Sequence, residues 1–241
     1  MYYFELNGIK LPRVSIGTSP FIGAGQFGAR GLAWRLKFLN NPELMAYLME
    51  KAYNLGAKGV EIVPVGKIID AINIMKSNYP DYIVLASTHW SEINIQELAE
   101  VYKSKVIFLH GNLSDKRNKT MIKNIFNEIS SYSVIPGIAT HEPVSTLQFI
   151  INNNINCDIF LIPFNKAGFL MQNKNKLEDI VDNSNKKFIA MKPLAAGQLS
   201  PQEAFEYISQ HNISGVAVGL VYEEEINETV PIAIEKIGNK T

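Results

Sequence analysis

Three of the four histidines stand in equivalent places, each at or just past the end of an apolar run. His110 closes Lys105-Val-Ile-Phe-Leu-His-Gly111, His89 closes the run from Tyr82, and His141 follows the run from Val134 to Thr140. Glu61 lies inside the run Gly59 to Pro64, and Lys192 sits near the end of Phe188 to Pro193. Imidazoles and a carboxylate are the usual acids and bases of neutral-pH catalysis. The same four side chains, Glu61, His89, His110 and His141, also form a mixed nitrogen and oxygen set suited to a divalent metal. Such an ion would polarise a carbonyl or activate water. Lys192 adds an amine able to form a Schiff base. Each group has a plainer reading. Glu61 and Lys192 pair as a structural ion pair, because a lone charge in a buried strand is costly. A single histidine caps a helix. The clustering of three weighs against all of them being caps. The fourth, His211, closes a helix, where a partly cationic ring is favoured.

These residues need elements to carry them. Four uninterrupted apolar residues read as a strand buried on both faces, and a helix follows most such runs. Strands are expected at 13–17, 59–64, 82–89, 105–111, 134–140, 158–164, 188–193 and 215–219. Helices are expected at 42–55 behind Pro42, at 67–77, 93–103 and 115–130, and from Pro143 to the Asn152 run. Three more follow, at 175–182, behind the capping box Ser200-Pro-Gln-Glu203, and at 223–237. Residues 1–12 form a short amino-terminal hairpin with Asn7-Gly8 as its turn. Eight strand–helix units in one chain predict a single (β/α)8 TIM barrel over residues 1–241, with an open doubly wound sheet as the rival. Barrels carry their sites at the carboxyl ends of the strands, where neighbouring strands stand about 4.8 Å apart. His89, His110, His141, Glu61 and Lys192 are therefore expected around one mouth.

Thr18 to Asn41 reads as a long first loop over that mouth. Its Gly23-Ala-Gly-Gln-Phe-Gly28 matches the spacing of a phosphate-cradling loop, yet no helix is expected to begin at Gly28, so the motif is weak.

Composition narrows the partners. Acids and bases balance at 23 each, leaving no basic field for nucleic acid or for a membrane surface. No apolar run reaches the length of a membrane span. Cys157 stands alone, which excludes an internal disulfide and a cysteine-based zinc cluster. Met1-Tyr-Tyr-Phe-Glu has none of the regions of a signal peptide. A cytoplasmic protein acting on a small molecule is expected.

Several segments in order resemble the aldo-keto reductases, in particular their compact microbial branch. Leu11-Pro-Arg-Val-Ser-Ile-Gly-Thr18 resembles the family's opening, and Gly56 to Gly66 its second strand. Phe108-Leu-His-Gly111 is similar to the fourth strand with its catalytic histidine, and Pro136-Gly-Ile-Ala-Thr-His-Glu-Pro143 to the fifth. Ile162-Pro-Phe-Asn165, Met191-Lys-Pro-Leu-Ala-Ala-Gly197 and Gly219 to Thr229 resemble the sixth, the seventh and the final cofactor segment. The resemblance implies a barrel that moves hydride from a nicotinamide cofactor to a carbonyl, using Asp, Tyr, Lys and His. Of these His110 is present, Glu61 stands for the aspartate, Val65 for the tyrosine, and Thr88 for the lysine with His89 beside it. It also implies a cofactor site of Thr140, His141 and Asn165 at the nicotinamide, and Met191 against its face. Leu194, Gly197 and Leu199 would wrap the pyrophosphate, with Gly219 and Glu228 on the adenine side. Gly215 to Glu235 contains no Lys or Arg, and Glu223, Glu224 and Glu225 crowd the last helix, which favours NAD over NADP.

Three functions remain open on this reading. The first is a divergent nicotinamide-dependent oxidoreductase, with His110 or His89 as proton donor and Glu61 tuning it. The second is a hydrolase, lyase or isomerase, assisted by metal or by a Schiff base at Lys192. The third is a ligand-binding barrel that has lost its tetrad.

Overall fold

A computed structural model describes residues 1–238. The amino-terminal strands β1 (Tyr3–Leu6) and β2 (Ile9–Pro12) pair antiparallel around Asn7 and Gly8. Both turn residues have positive φ, 52° and 76°, as the tight hairpin expected from Asn-Gly requires.

Eight parallel strands then close a barrel: β3 (Val14–Gly17), β4 (Gly59–Ile62), β5 (Ile83–Ser87), β6 (Val106–Leu109), β7 (Ile135–Ala139), β8 (Ile159–Pro163), β9 (Lys187–Met191) and β10 (Gly215–Val218). Each pairs with its sequence neighbour, and β10 pairs with β3. Alternation sorts the side chains into two cores. Leu85, Phe108, Ile159, Leu161 and Ile189 fill the barrel, while Val60, Ile62, Val84, Ile107 and Ile162 face the helices. Phe4 and Leu11 of the hairpin join the inner cluster, so the hairpin plugs the amino end. Gly137 makes room inside: a Cβ there would lie 2.5 Å from the Phe108 ring.

The helices are α1 (Ala29–Phe38), α2 (Pro42–Asn54), α3 (Ile68–Asn78), α4 (Gly111–Ser114), α5 (Lys119–Ser131), α6 (Pro143–Asn152), α7 (Lys174–Asp182), α8 (Pro201–Ser209) and α9 (Glu223–Gly238). Asn41 caps α2 ahead of Pro42 by accepting from the Leu44 amide. Ser200 forms the expected capping box, accepting from the Glu203 amide and donating to its carboxylate.

Three expectations are corrected. The stretch from 18 to 41 is not a bare loop, because α1 occupies its second half with Gly28 as its N-cap. A helix therefore does begin directly after Gly28, although no strand ends close before Gly23. The helix expected at 93–103 is a short turn continuing into one π-helical segment, Glu97–Val101. The helix expected at 115–130 begins later, at Lys119, because Arg117 takes a left-handed φ of 51° and Asn118 caps the start; the separate short helix α4 precedes it.

Candidate active site

Every strand that carries a candidate residue points the same way, so Glu61, His89, His110, His141 and Lys192 lie at one end of the barrel. Glu61 faces the interior and is only 6% exposed. Its Oε1 accepts a hydrogen bond from Ser87 Oγ at 3.0 Å. Burial pushes its carboxyl up to about 7, against the smaller pull of Ser87 and of the Lys192 charge. Lys192 follows β9 directly in a left-handed conformation, φ 58°. Burial brings its ammonium down to about 8, opposed by Glu61. Its one hydrogen-bond contact among the described residues is a weak one, Nζ to Met191 Sδ at 3.7 Å. The ion pair read from the sequence is therefore not formed; the two groups feel each other's charge without touching.

Glu61 and Lys192 both border a cavity of about 510 Å³. It runs from the interior, past Gly17 and Ala217, outward to Glu225 and Glu228 of α9. Met191, Leu194, Gly197 and Gly219 also line it. The opposite wall is α1, which contributes Arg30, Trp34 and Lys37. Arg30 Nη2 reaches the Ala196 carbonyl at 3.5 Å, and Trp34 Nε1 donates to Tyr222 Oη at 3.3 Å. These bonds tie α1 across the cavity, from the loop after β9 to the loop after β10. The two cations sit seven residues apart on α1, about 10 Å along its axis.

The histidines form a separate cluster over β5, β6 and β7. The His110 and His141 rings stand 5.5 Å apart, and Trp90 bridges His89 to His110 with centroid distances of 4.0 and 6.3 Å. His110 Nδ1 accepts from the Asn112 amide at 3.2 Å, so the ring caps α4. Burial is the largest cause that takes His110 down to about 4, followed by the charges of His141 and Lys192. A neutral ring with Nδ1 occupied as an acceptor carries its proton on Nε2. His89 Nδ1 likewise accepts from Ser91, at 3.3 Å from its amide. Burial lowers His141 also. Gly111 permits its approach, since a Cβ there would stand 2.8 Å from His141 Nδ1.

Other candidate positions are engaged within the fold. Thr140 is fully buried; its hydroxyl bonds Asp115 and accepts from the Glu142 amide at 2.9 Å. Asp115 also accepts from the His141 amide at 2.9 Å and Thr146 Oγ1 at 2.7 Å, which makes it the anchor of this corner. Asn165 is buried and folds its own loop, bonding both the amide and the carbonyl of Phe169. Thr140, Asn165, Leu199 and the three histidines His89, His110 and His141 do not border the cavity. Thr88 Oγ1 accepts from the His110 amide at 3.1 Å. His211 lies away from the mouth, 2.8 Å from Asp182 through Nδ1.

The metal alternative has no support. Among the described residues no three His, Cys, Asp or Glu side chains converge on a common point able to hold an ion. His110 is committed through Nδ1 to α4, and Glu61 sits in the barrel below. Residues missed from sequence are Ser87, Asp115, Arg30, Trp34 and Lys37. Only α1 carried a local signal, the helix-forming string Ala29-Arg-Gly-Leu-Ala-Trp-Arg-Leu-Lys-Phe38 after a permissive Gly28.

Solved structures resembling the chain share its whole architecture. An assigned aldo-keto reductase from Pseudomonas aeruginosa superposes with a TM-score of 0.70 at 13% identity, over 95% of this chain and 92% of the other. The fold is that of the aldo-keto reductases. An aldo/keto reductase from Brucella melitensis gives 0.64 at 14%, covering 95% and 91%. One from Klebsiella pneumoniae, solved in complex with NADPH, gives 0.66 at 8%, covering 94% and 87%. No protein-family model matches the chain, and no curated protein matches it by sequence. None of its described helices is long and apolar enough to cross a membrane.

Proposed function

We propose that this protein is an oxidoreductase of aldo-keto reductase type, holding a nicotinamide dinucleotide in the 510 Å³ cavity and acting on a small carbonyl or alcohol. The observation that carries the reading is the cavity itself. It joins a buried acid near neutrality, Glu61, to a distal wall bearing Arg30 and Lys37. Those cations fit the phosphates of a dinucleotide, and Leu194, Gly197, Gly219 and Glu228 border the same channel. A bound dihydronicotinamide supplies the hydride.

The chain's own residues handle the proton. Val65 offers none, so Glu61 becomes the donor to the developing alkoxide, in place of the histidine expected from the sequence. The Lys192 ammonium stabilises the negative charge that forms beside it. His110 stays neutral at working pH and stands outside the cavity, so no step is assigned to it. The hairpin and the packed interior exclude water from below.

The preference for NAD drawn from the cation-free final segment does not carry over, because α1 brings Arg30 and Lys37 into the same channel from elsewhere in the chain. Two fold relatives were solved in complex with NADPH, and we read the phosphorylated cofactor as the preferred one. Trp34 lines the cavity and provides the probe. Titration with NADPH should quench its emission at lower concentration than NADH does. No response to either at millimolar concentration ends this reading.

A further inference from the structure

We propose that Lys192 is an amine nucleophile that captures a short-chain aldehyde or ketone as an imine, with Glu61 moving the protons, so that the cavity supports aldol-type chemistry next to a carbonyl. This goes beyond the reductase reading and requires no nucleotide.

The geometry sets up such a step. Lys192 is the first residue past β9, on the rim of the barrel interior, and its left-handed φ of 58° is strained for a residue with a side chain. Lys192 lines the cavity, and its Nζ forms no ion pair with a carboxylate among the described residues, its one contact there being the weak one to Met191 Sδ. Burial holds it at about 8 instead of 10.5. At pH 7 about one such amine in ten is free, against fewer than about one in a thousand for an ordinary lysine. The two strands between Lys192 and Glu61 leave space: Gly17 of β3 and Ala217 of β10 border the cavity with almost no side chain. The carboxyl partner, Glu61, is on the same cavity wall and exists in both protonation states near neutrality.

The step balances within these groups. The Nζ lone pair attacks the carbonyl carbon, and the C=O π pair moves to oxygen, which takes the proton that the nitrogen gives up, leaving a neutral carbinolamine. Protonation of that hydroxyl by Glu61 lets it leave as water while nitrogen donates its pair, forming the iminium. The Glu61 carboxylate then removes a proton from the neighbouring carbon, and the C–H pair becomes the enamine double bond. No oxidant or reductant is consumed. Reprotonation from solvent followed by hydrolysis of the iminium returns the carbonyl compound with its α-hydrogen exchanged and frees the amine; attack of the enamine carbon on a second aldehyde, whose oxygen takes up a proton, makes a carbon–carbon bond before the same hydrolysis.

Hydroxyacetone is the probe. Nucleotide-free protein is incubated with it and sodium borohydride, and intact mass and peptide mapping locate the product. One reduced adduct at Lys192 is expected. In deuterated buffer, proton NMR should show loss of the α-hydrogens of hydroxyacetone. Lys192→Met should remove the adduct and slow exchange by about 10²-fold or more, the range for losing a positioned proton-transfer system. Lys192→Arg should behave alike, and circular dichroism of both variants checks that they fold. Glu61→Gln should trap the imine more slowly, because it loses the acid that expels water, and should lose exchange. Labelling only at surface lysines, or exchange unchanged in a folded Lys192→Met, overturns the proposal. Titration of Trp34 emission with NADPH separates this from the reductase reading: trapping without nucleotide binding sinks only the reductase, and binding without trapping sinks only the imine. Where both hold, saturating NADPH shields Lys192 from the probe, since the two ligands share one cavity.

Discussion

Replacing Glu61 with glutamine removes an ionisation that the fold resists, and the effect on stability has a definite sign. Unfolded, this carboxyl titrates near 4.5; in the barrel it titrates at about 7. Between those values the native state binds more protons than the unfolded chain, so its stability falls as pH rises through the window and levels off above it. The displacement corresponds to about 3 kcal/mol. Glutamine keeps the volume and can still accept from Ser87 Oγ, but it carries no charge to bury. At pH 5 the variant and the parent should melt together. By pH 8.5 the variant should melt higher, by roughly 6–12 °C for that free-energy difference. Parallel thermal scans from pH 5 to pH 9 measure it, and the difference between the two proteins cancels every other titrating group to first order. A gap that stays flat across this range, or one in which the variant loses ground as pH rises, would show that Glu61 is ionised at no cost and is no candidate acid. Reduction of a carbonyl by the variant should fall by about 10²-fold or more.

Reversing both charges on α1, Arg30→Glu with Lys37→Glu, should weaken NADPH binding by about tenfold per lost phosphate contact, roughly 1.4 kcal/mol each. The parent's affinity should fall with added salt while the variant's stays nearly constant, as read by Trp34 fluorescence. Asp115→Ala strips the buried Thr140 and Thr146 hydroxyls and the His141 amide of one acceptor, and should cost about 2–3 kcal/mol in a urea titration. Gly137→Ala drives a methyl into the Phe108 ring inside the barrel, and should cost about 1–3 kcal/mol by the same measurement. The imidazole of His110 should remain neutral down to about pH 4 by NMR, whereas a solvated histidine titrates near 6.5.

The barrel was legible because its strands advertise themselves. Runs such as Val106–Leu109 and Ile159–Pro163 are apolar at every position, which a half-exposed strand would not be. Pro42 and the capping box at Ser200 marked where helices begin. The gathering of Glu61, Lys192 and the histidines at one end followed from strand direction alone. What stayed hidden depended on distance in sequence. α1 lacks a core-facing stripe: Leu32 and Leu36 are 63% and 80% exposed, so its periodicity pointed nowhere, and with it went the two cations of the cavity wall. Asp115 looked like an ordinary helix start, yet its three partners come from residues 25 to 31 positions later. The late start of α5 rests on one left-handed residue, Arg117, which no propensity singles out.

The amino-terminal hairpin has a kinetic consequence. With Phe4 and Leu11 closing the amino end, the cavity beside Glu61 lies on the mouth side, under α1. On the function proposed above, substrate, product and the replacement proton share that side, beneath a helix hydrogen-bonded to the loops after β9 and β10, so opening of α1 sets the pace of exchange for all three.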